Sequence, residues 1–167
     1  MGNIILLRSN ELASFFWIFG AEYLIYLMFF TTLVLGFKGQ VNDKKAFLLI
    51  ILSLPIAVVL IKGIHLFYFE PRPFVTLNFT PLVNEVADAS FPSRHATIAA
   101  VLAFAYILFK SKWSPVFLLI ALWIGISRIY VGVHYSLDVL GGFVVAIISL
   151  ALALVVKKLL QKLFSGV

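Results

Sequence analysis

Five long apolar stretches, separated by short polar segments, account for most of this chain. Each is close to the length of about 17–25 residues that an α-helix needs to cross the hydrocarbon core of a bilayer. Backbone groups in lipid must find their hydrogen bonds within the embedded structure, so we interpret the stretches as transmembrane helices. The pattern predicts an all-α polytopic bundle of about five spans. The predicted spans cover residues 15–37, 46–69, 92–109, 115 to 126 or 131, and 137–156.

The segment ahead of the first span, residues 4–14, mixes apolar and polar positions and is too short to cross a membrane. This composition predicts a short interfacial helix. The chain shows no internal repeat, and none of its polar segments is long enough to link two domains. We therefore expect residues 1–167 to form a single integral-membrane domain.

Composition supports a membrane location. Of the 167 residues, 63% are hydrophobic and 12% are charged, against roughly 25% charged in an ordinary soluble domain. The formal net charge is +6, but the basic residues do not cluster as on a polynucleotide-binding face, so no nucleic-acid partner is predicted. Cysteine is absent, which excludes disulfides and thiolate metal sites. The oligomeric state stays open.

Lysines and arginines fall on opposite sides of the predicted bundle. Eight of the nine lysines lie in the 38–45 loop, the 110–114 turn and the segment after residue 156, which five spans place on one side. The positive-inside rule assigns that side to the cytoplasm. Every arginine falls on the other side, facing the periplasm or exterior, and this grouping indicates a binding site. The four are Arg8, Arg72, Arg94 and Arg128.

The segment 127–138, between the last two spans, combines several reactive side chains. His134 and Asp138 are four residues apart, so a helix beginning near His134 would place both on one face. The carboxylate could then hold one tautomer of the imidazole and stabilise the cation formed when the other nitrogen attacks a substrate. Arg128 precedes the pair, and its planar guanidinium suits phosphate oxygens.

Further cationic residues, Arg72, Arg94 and His95, fall on the same side. Ionisable groups at the membrane boundary need a partner or a use, and these converge without evident matching acids. We therefore expect them to bind an anion from outside the protein, for which phosphate is the natural candidate. Ser93 can cap the third span, whose first free amides would point at the anion.

These residues resemble the three signatures of the type-2 phosphatidic acid phosphatase superfamily. The likeness covers roughly residues 60–142, and within the superfamily the chain looks most like bacterial undecaprenyl-diphosphate phosphatases. The signatures read Arg72-Pro73, Pro92-Ser93-x-His95 and Ser127-Arg128-x5-His134-x3-Asp138.

The resemblance implies a division of catalytic roles. His134 would attack phosphorus to form a phosphohistidine, Asp138 would orient it, and His95 would protonate the leaving oxygen and then activate water. Fixed guanidinium groups can supply the charge stabilisation that phosphoryl transfer needs, so neither a metal nor another cofactor is expected. The residues implied to bind phosphate are Arg72, Ser93 and Arg128, with Arg94 and Lys62 as further candidates.

Two positions depart from the family's pattern. The family usually has lysine where this chain has His65, and Lys62 lies one helical turn earlier. Lys62 either reaches the phosphate or extends to the interface, and His65 is either a phosphate ligand or a packed helix-end residue. Arg94 replaces a common glycine or aspartate and could bind a second phosphate, as in a diphosphate. Glu22, inside the first span, is expected to be a structural partner of one arginine.

The sequence thus predicts a membrane enzyme that hydrolyses a lipid phosphate or diphosphate at the outer face of its membrane, with the substrate entering from the bilayer. Undecaprenyl diphosphate, cleaved to the monophosphate, is the substrate that the resemblance favours. Phosphatidic acid, phosphatidylglycerol phosphate and lipid A are alternatives within the class. A non-catalytic anion or phospholipid transporter and an inactive membrane scaffold are alternatives from other classes.

Overall fold

The computed structural model describes residues 11–164, and every regular element in that range is an α-helix. The predicted all-α fold is therefore confirmed. The helices are α1 (Glu11–Glu22), α2 (Leu24–Lys38), α3 (Val41–Phe67), α4 (Pro73–Thr76), α5 (Arg94–Leu108), α6 (Ser114–Tyr130) and α7 (Ser136–Phe164).

The helices correspond to the predicted spans. α3 and α7 are long and apolar enough to cross a membrane, and α1 and α2 together meet the same criterion with a bend of 46° between them. α5 and α6 are apolar helices of 15 and 17 residues. The transmembrane bundle is thus confirmed, with two helices near the short limit. Of the predicted interfacial helix, residues 4–10 lie outside the described range, and 11–14 form the start of α1.

The core of the bundle is built around α5. Five consecutive side chains, from Ala99 to Ala103, are completely buried, so this helix is covered on every face. α5 packs against α3, α6 and α7, and its alanines allow the neighbouring backbones to approach closely. Large apolar side chains such as Phe37, Leu119 and Ile147 are instead exposed on the outside. That distribution suits a bundle surrounded by lipid.

The lysine-bearing segments meet at one end of the bundle. The buried carboxylate of Asp43, in the first turn of α3, accepts hydrogen bonds from the amide of Gln40 and the hydroxyl of Ser111. The ammonium of Lys157 on α7 lies 6.0 Å from the centre of the Phe109 ring. The 38–41 loop, the 109–114 turn and the end of α7 therefore share one end, as the alternation of spans predicts.

At the opposite end, two glycines of α7 allow close contact with the 91–97 segment. A Cβ at Gly141 would collide with the ring of Phe91, and one at Gly142 would lie 3.0 Å from the carbonyl oxygen of Ser93. The absence of side chains at both positions lets α7 reach the start of α5. The amide of Ser93 consequently donates to the carbonyl of Asp138 at 3.0 Å, which joins two of the three sequence signatures.

Candidate active site

His134 lies in the short connection between α6 and α7. Gly132 has a φ of 86°, a left-handed conformation that costs glycine little. The chain turns back there, so that the amides of Val133 and His134 both donate to the carbonyl of Arg128. Asp138, in the first turn of α7, places Oδ2 3.3 Å from Nδ1 of His134. The structure thus brings together the pair that the four-residue spacing predicts.

The other ring nitrogen of His134 faces an arginine. Nη1 of Arg72 lies 3.2 Å from Nε2 of His134 and donates to the carbonyl of Val133 at 3.0 Å. A guanidinium can only donate, so Nε2 must carry the lone pair and Nδ1 the proton that points to Asp138. This is the tautomer that a nucleophilic Nε2 requires.

The environment also favours the neutral form of this histidine. Burial lowers the pKa of His134, and the charges of Arg72 and Arg128 lower it further, against the opposing effect of the hydrogen bond to Asp138. The net pKa lies below the ordinary value of histidine. The imidazole is therefore unprotonated on Nε2 at neutral pH and available for attack on phosphorus.

Arg72 follows the end of α3 and is 1% exposed. Its Nε and Nη2 both donate to Oδ1 of Asp88, at 3.0 and 2.8 Å. Nη2 also lies 3.6 Å from Oε1 of Glu85. With Nη1 directed at His134, all three nitrogens of the guanidinium are engaged, and the group is held rigidly beside the proposed nucleophile.

Arg128, in the last turn of α6, is likewise 1% exposed. Its Nη2 forms a very short ion pair with Glu85, and its Nη1 lies 3.4 Å from Oε1 of Glu22. Its Nε has no hydrogen-bond partner among the described residues. His95, the second residue of α5, lies within electrostatic range of Arg128, Glu85 and His134. The two predicted catalytic histidines therefore both lie within electrostatic range of Arg128.

The start of α5 contributes Ser93 and Arg94. The hydroxyl of Ser93 accepts from the amide of Ala96 at 3.4 Å, which is the predicted helix cap. Arg94 is 46% exposed, and its Nη2 lies 2.8 Å from Oδ2 of Asp88 and 3.8 Å from Oε1 of Glu85. Arg72, Arg94 and Arg128 together form an arginine cluster. Arg94 is its solvent-exposed member, whereas Arg72 and Arg128 are buried.

Lys62 and His65 differ in their relation to this cluster. Lys62 is exposed on α3, and the ion pairs found within residues 11–164 do not include it. His65 is partly buried, lies within electrostatic range of Arg94 and Asp88, and keeps its Nε2 without a partner in the described part of the chain. The structure thus places His65 near the arginines, and a phosphate contact by Lys62 stays a prediction.

The expectation that the arginines lack matching acids is wrong. Glu85 and Asp88, in the long connection after α4, pair with all three arginines of the described range, whereas Arg8 lies outside it. Glu22 pairs with Arg128, as expected for a structural partner. Burial raises the pKa of Glu85 and of Asp88, but the neighbouring arginines more than offset this. Both pKa values lie below the ordinary range, so both groups are ionised at neutral pH.

Sequence reasoning also missed Ser90, whose hydroxyl bonds to Asp138. It lies three residues before Ser93 in an irregular segment, where no periodic pattern assigns it a face. Within residues 11–164, no group of three or more histidine, aspartate or glutamate side chains is arranged to hold a metal ion.

A buried imidazole whose free nitrogen faces guanidinium groups suits phosphoryl transfer, here within a membrane-embedded helical bundle. Residues 44–162 match the PAP2 superfamily. The chain is 36% identical over 141 residues to the undecaprenyl-diphosphatase BcrC of Bacillus subtilis (strain 168), an alignment that covers 84% of this chain and 73% of that protein.

Two solved structures share the fold. Aquifex aeolicus LpxE superposes with a TM-score of 0.68 at 26% identity, over 92% of this chain and 93% of that one. A transmembrane PAP2-type phosphatidylglycerolphosphate phosphatase from Bacillus subtilis superposes with a TM-score of 0.60 at 29% identity, over 90% and 77% of the two chains. This chain belongs to the PAP2 superfamily. The predicted family is thereby confirmed, and with it the predicted enzyme class, a membrane phosphatase of lipid phosphates.

Proposed function

We propose that this chain hydrolyses a lipid diphosphate through a phosphohistidine, with undecaprenyl diphosphate as substrate and undecaprenyl phosphate as product. The observation that carries the proposal is the orientation of His134, with Nδ1 toward Asp138 and Nε2 3.2 Å from Arg72. The similarity to BcrC, which is named an undecaprenyl-diphosphatase, supports the choice of substrate. The location at the outer face rests on the separation of the arginine cluster from the lysine end.

In the proposed mechanism, Nε2 of His134 attacks the terminal phosphorus. A P–N bond forms as the bond from phosphorus to the bridging oxygen breaks, and His95, which takes up a proton when the anionic substrate binds beside it, gives that proton to the departing lipid phosphate. Asp138 stabilises the imidazolium that results. His95 then accepts a proton from water, whose oxygen attacks phosphorus, and cleavage of the P–N bond releases inorganic phosphate and restores both histidines.

The transferred phosphoryl group would take the place of the Glu85 carboxylate. Glu85 lies between the two buried arginines, in contact with Arg128 and 3.6 Å from Arg72, and its charge also acts on His95. A phosphate held by the same guanidinium groups would face Glu85 as a like charge at short range. We infer that Glu85 is an internal competitor that withdraws when the substrate binds.

The substitution Glu85→Gln tests this competition. We expect the inhibition constant of inorganic phosphate to fall roughly tenfold, since about 1.4 kcal/mol of repulsion would be removed. The measurement is product inhibition of the purified protein, and Glu70→Gln is the matched control because the Glu70 carboxylate bonds to the hydroxyl of Tyr68 outside the cluster. An unchanged or higher inhibition constant in Glu85→Gln would show that the carboxylate does not compete.

Arg94 is suited to bind the second phosphate of a diphosphate. It lies at the exposed edge of the cluster, one residue before His95, and shares Asp88 with Arg72. A substrate whose reacting phosphate lies between Arg72 and Arg128 could therefore place its other phosphate beside Arg94. A lipid monophosphate would leave this guanidinium unused, so Arg94 should favour diphosphates.

Phosphate release from a panel of lipids tests the function. We expect the purified protein in detergent and excess chelator to hydrolyse undecaprenyl diphosphate faster than phosphatidic acid, phosphatidylglycerol phosphate or lipid A. Arg94→Gln should reduce this preference about tenfold, the effect of losing a charge-assisted hydrogen bond. Lys112→Gln, at the lysine end, is the control and should leave the preference unchanged.

Other results would point to the alternative functions. A higher rate with a monophosphate lipid than with undecaprenyl diphosphate would show that the protein is a lipid phosphatase with a different substrate. Activity that is lost with chelator and restored by magnesium would contradict the proposed reliance on guanidinium groups. Movement of a lipid phosphate across vesicle membranes without phosphate release would favour the transporter.

A further inference from the structure

Ser90 is a completely buried polar residue that the mechanism above does not use. Its hydroxyl forms a very short hydrogen bond to Oδ2 of Asp138 and lies 3.4 Å from Nδ1 of His134. Ser90 therefore touches both members of the catalytic pair on the side away from the arginines. It reaches them from the connection between α4 and α5, 44 and 48 residues earlier in the chain.

The backbone around Ser90 is held on both sides. Its amide donates to the carbonyl of Glu70 at 2.8 Å, which anchors it to the segment that carries Arg72. The next residue, Phe91, packs at the glycine surface of α7 and makes an edge contact with the ring of Tyr68, with 5.7 Å between ring centres. A backbone hydrogen bond and the packing of Phe91 thus fix the position of the Ser90 hydroxyl.

The hydrogen-bond roles around Asp138 follow from the donors present. Oδ2 receives the Nδ1–H of His134 at 3.3 Å, the amide of Tyr135 at 2.8 Å and the hydroxyl of Ser90. Oδ1 is buried without a partner in the described part of the chain. All of these bonds therefore converge on one oxygen, and the Ser90 hydroxyl is the only side-chain donor besides the imidazole found there within residues 11–164.

This arrangement restricts both the carboxylate and the ring. With its proton given to Asp138, the Ser90 oxygen turns a lone pair toward the Nδ1–H of His134. Rotation of the carboxylate away from the imidazole would break the Ser90 bond and leave a buried hydroxyl unsatisfied. The proton consequently stays on Nδ1, and Nε2 stays free to face the arginine cluster.

We propose that Ser90 is a positioning residue for the nucleophile: it holds Oδ2 of Asp138 against Nδ1 of His134 and so keeps Nε2 unprotonated and aligned for attack. This inference rests on the proposed role of His134 as the nucleophile. It adds to that role a third side chain, which acts through Asp138 and does not contact the substrate.

The test is Ser90→Ala in the complete protein, assayed in detergent with undecaprenyl diphosphate. We expect kcat to fall about 10–100-fold, the usual effect of losing a residue that orients a reactive group, and KM to stay within twofold. Without the Ser90 bond the Asp138 carboxylate is free to turn away from the ring, so the imidazolium loses part of its stabilisation. The acid limb of kcat/KM should therefore move to lower pH by roughly half a unit to one unit.

The matched control is Ser53→Ala, because Ser53 on α3 is also completely buried, and its hydroxyl donates to the carbonyl of Leu49 within its own helix. We expect Ser53→Ala to keep the parental pH profile, even if its thermal midpoint falls as far as that of Ser90→Ala. Ser90→Thr, which keeps a hydroxyl, should recover much of the lost kcat. A Ser90→Ala protein with the parental kcat and pH profile, or with lower kcat but no shift of the acid limb, would overturn the proposal.

Rapid-quench trapping of phosphate on the protein separates this proposal from the one on which it rests. Formation of acid-labile phosphoenzyme in the parental protein, with slower formation in Ser90→Ala, supports both. Equal rates in the two proteins would reject the role of Ser90 and leave the nucleophile intact. Failure of the parental protein to form any phosphoenzyme would overturn the role of His134 and, with it, the inference about Ser90.

Discussion

His134→Ala is expected to lower the turnover of lipid diphosphate by about 10⁴-fold or more, because no other group can replace an attacking nitrogen held at this position. Nε2 of His134 lies 3.2 Å from Nη1 of Arg72. Without the ring, the arginines can still bind the phosphate, but no nucleophile remains beside them to attack the phosphorus. The measurement combines steady-state phosphate release with trapping of acid-labile phosphate on the protein. Both signals should disappear.

The variant should still fold and bind lipid phosphate, since Arg72 and Arg128 keep their partners. A thermal midpoint close to the parental value, together with retained inhibition by inorganic phosphate, provides the control. Asp138→Asn should be impaired less completely, because the imidazole remains while its orientation and the stabilisation of its cation suffer. A folded His134→Ala protein that turns over at the parental rate would exclude the proposed mechanism.

Arg72→Lys is expected to lower kcat/KM by about 10²–10³-fold although the charge is conserved. The guanidinium uses three nitrogens in fixed directions, toward Asp88, the carbonyl of Val133 and Nε2 of His134. An ammonium on a flexible side chain cannot reproduce this fork. The lysine ammonium would neither hold the oxygens of the transferred phosphoryl group in the same geometry nor keep the imidazole of His134 in place.

Arg94→Lys is the matched control for this substitution. Arg94 is 46% exposed and pairs with the same Asp88 through a single nitrogen, so an ammonium can take its place at little cost. We expect its kcat/KM to stay within about fivefold of the parental value. Similar losses in the two variants would indicate that overall charge, rather than the geometry of Arg72, sustains catalysis. Thermal unfolding of both proteins distinguishes a kinetic effect from a folding defect.

The acids around the arginines compensate their charge in the free protein. Without these acids, the buried guanidinium groups would be uncompensated whenever no phosphate is bound, which is energetically costly. Glu85 and Asp88 instead keep the guanidinium groups compensated in the free protein, with Asp88 bound to both Arg72 and Arg94. This compensation supports the proposal that the site exchanges one carboxylate contact for a phosphate when substrate binds.

Local patterns were sufficient to predict the spans and part of the site. The length of each apolar stretch predicts a transmembrane helix because lipid permits few other structures. The four-residue spacing of His134 and Asp138 predicts a contact between them, and the two side chains do meet, although α7 begins only at Ser136 and His134 lies in the turn before it. The cap at Ser93 follows from its place before an apolar helix. Each of these depends only on residues close together in the chain.

The contacts that complete the site depend on how the helices pack. Glu85, Asp88 and Ser90 lie in an irregular connection. Their bonds to Arg128, Arg72 and Asp138 span 43, 16 and 48 residues of the chain. Such a segment has no periodicity from which its side-chain directions could be read. Its course is determined by the packing of Phe91 on the Gly141 surface of α7 and by the bond from Ser90 to Glu70. Only the assembled bundle therefore decides which acids neutralise the arginines and which hydroxyl holds Asp138, because those contacts arise from the approach of separate helices rather than from the order of residues within one.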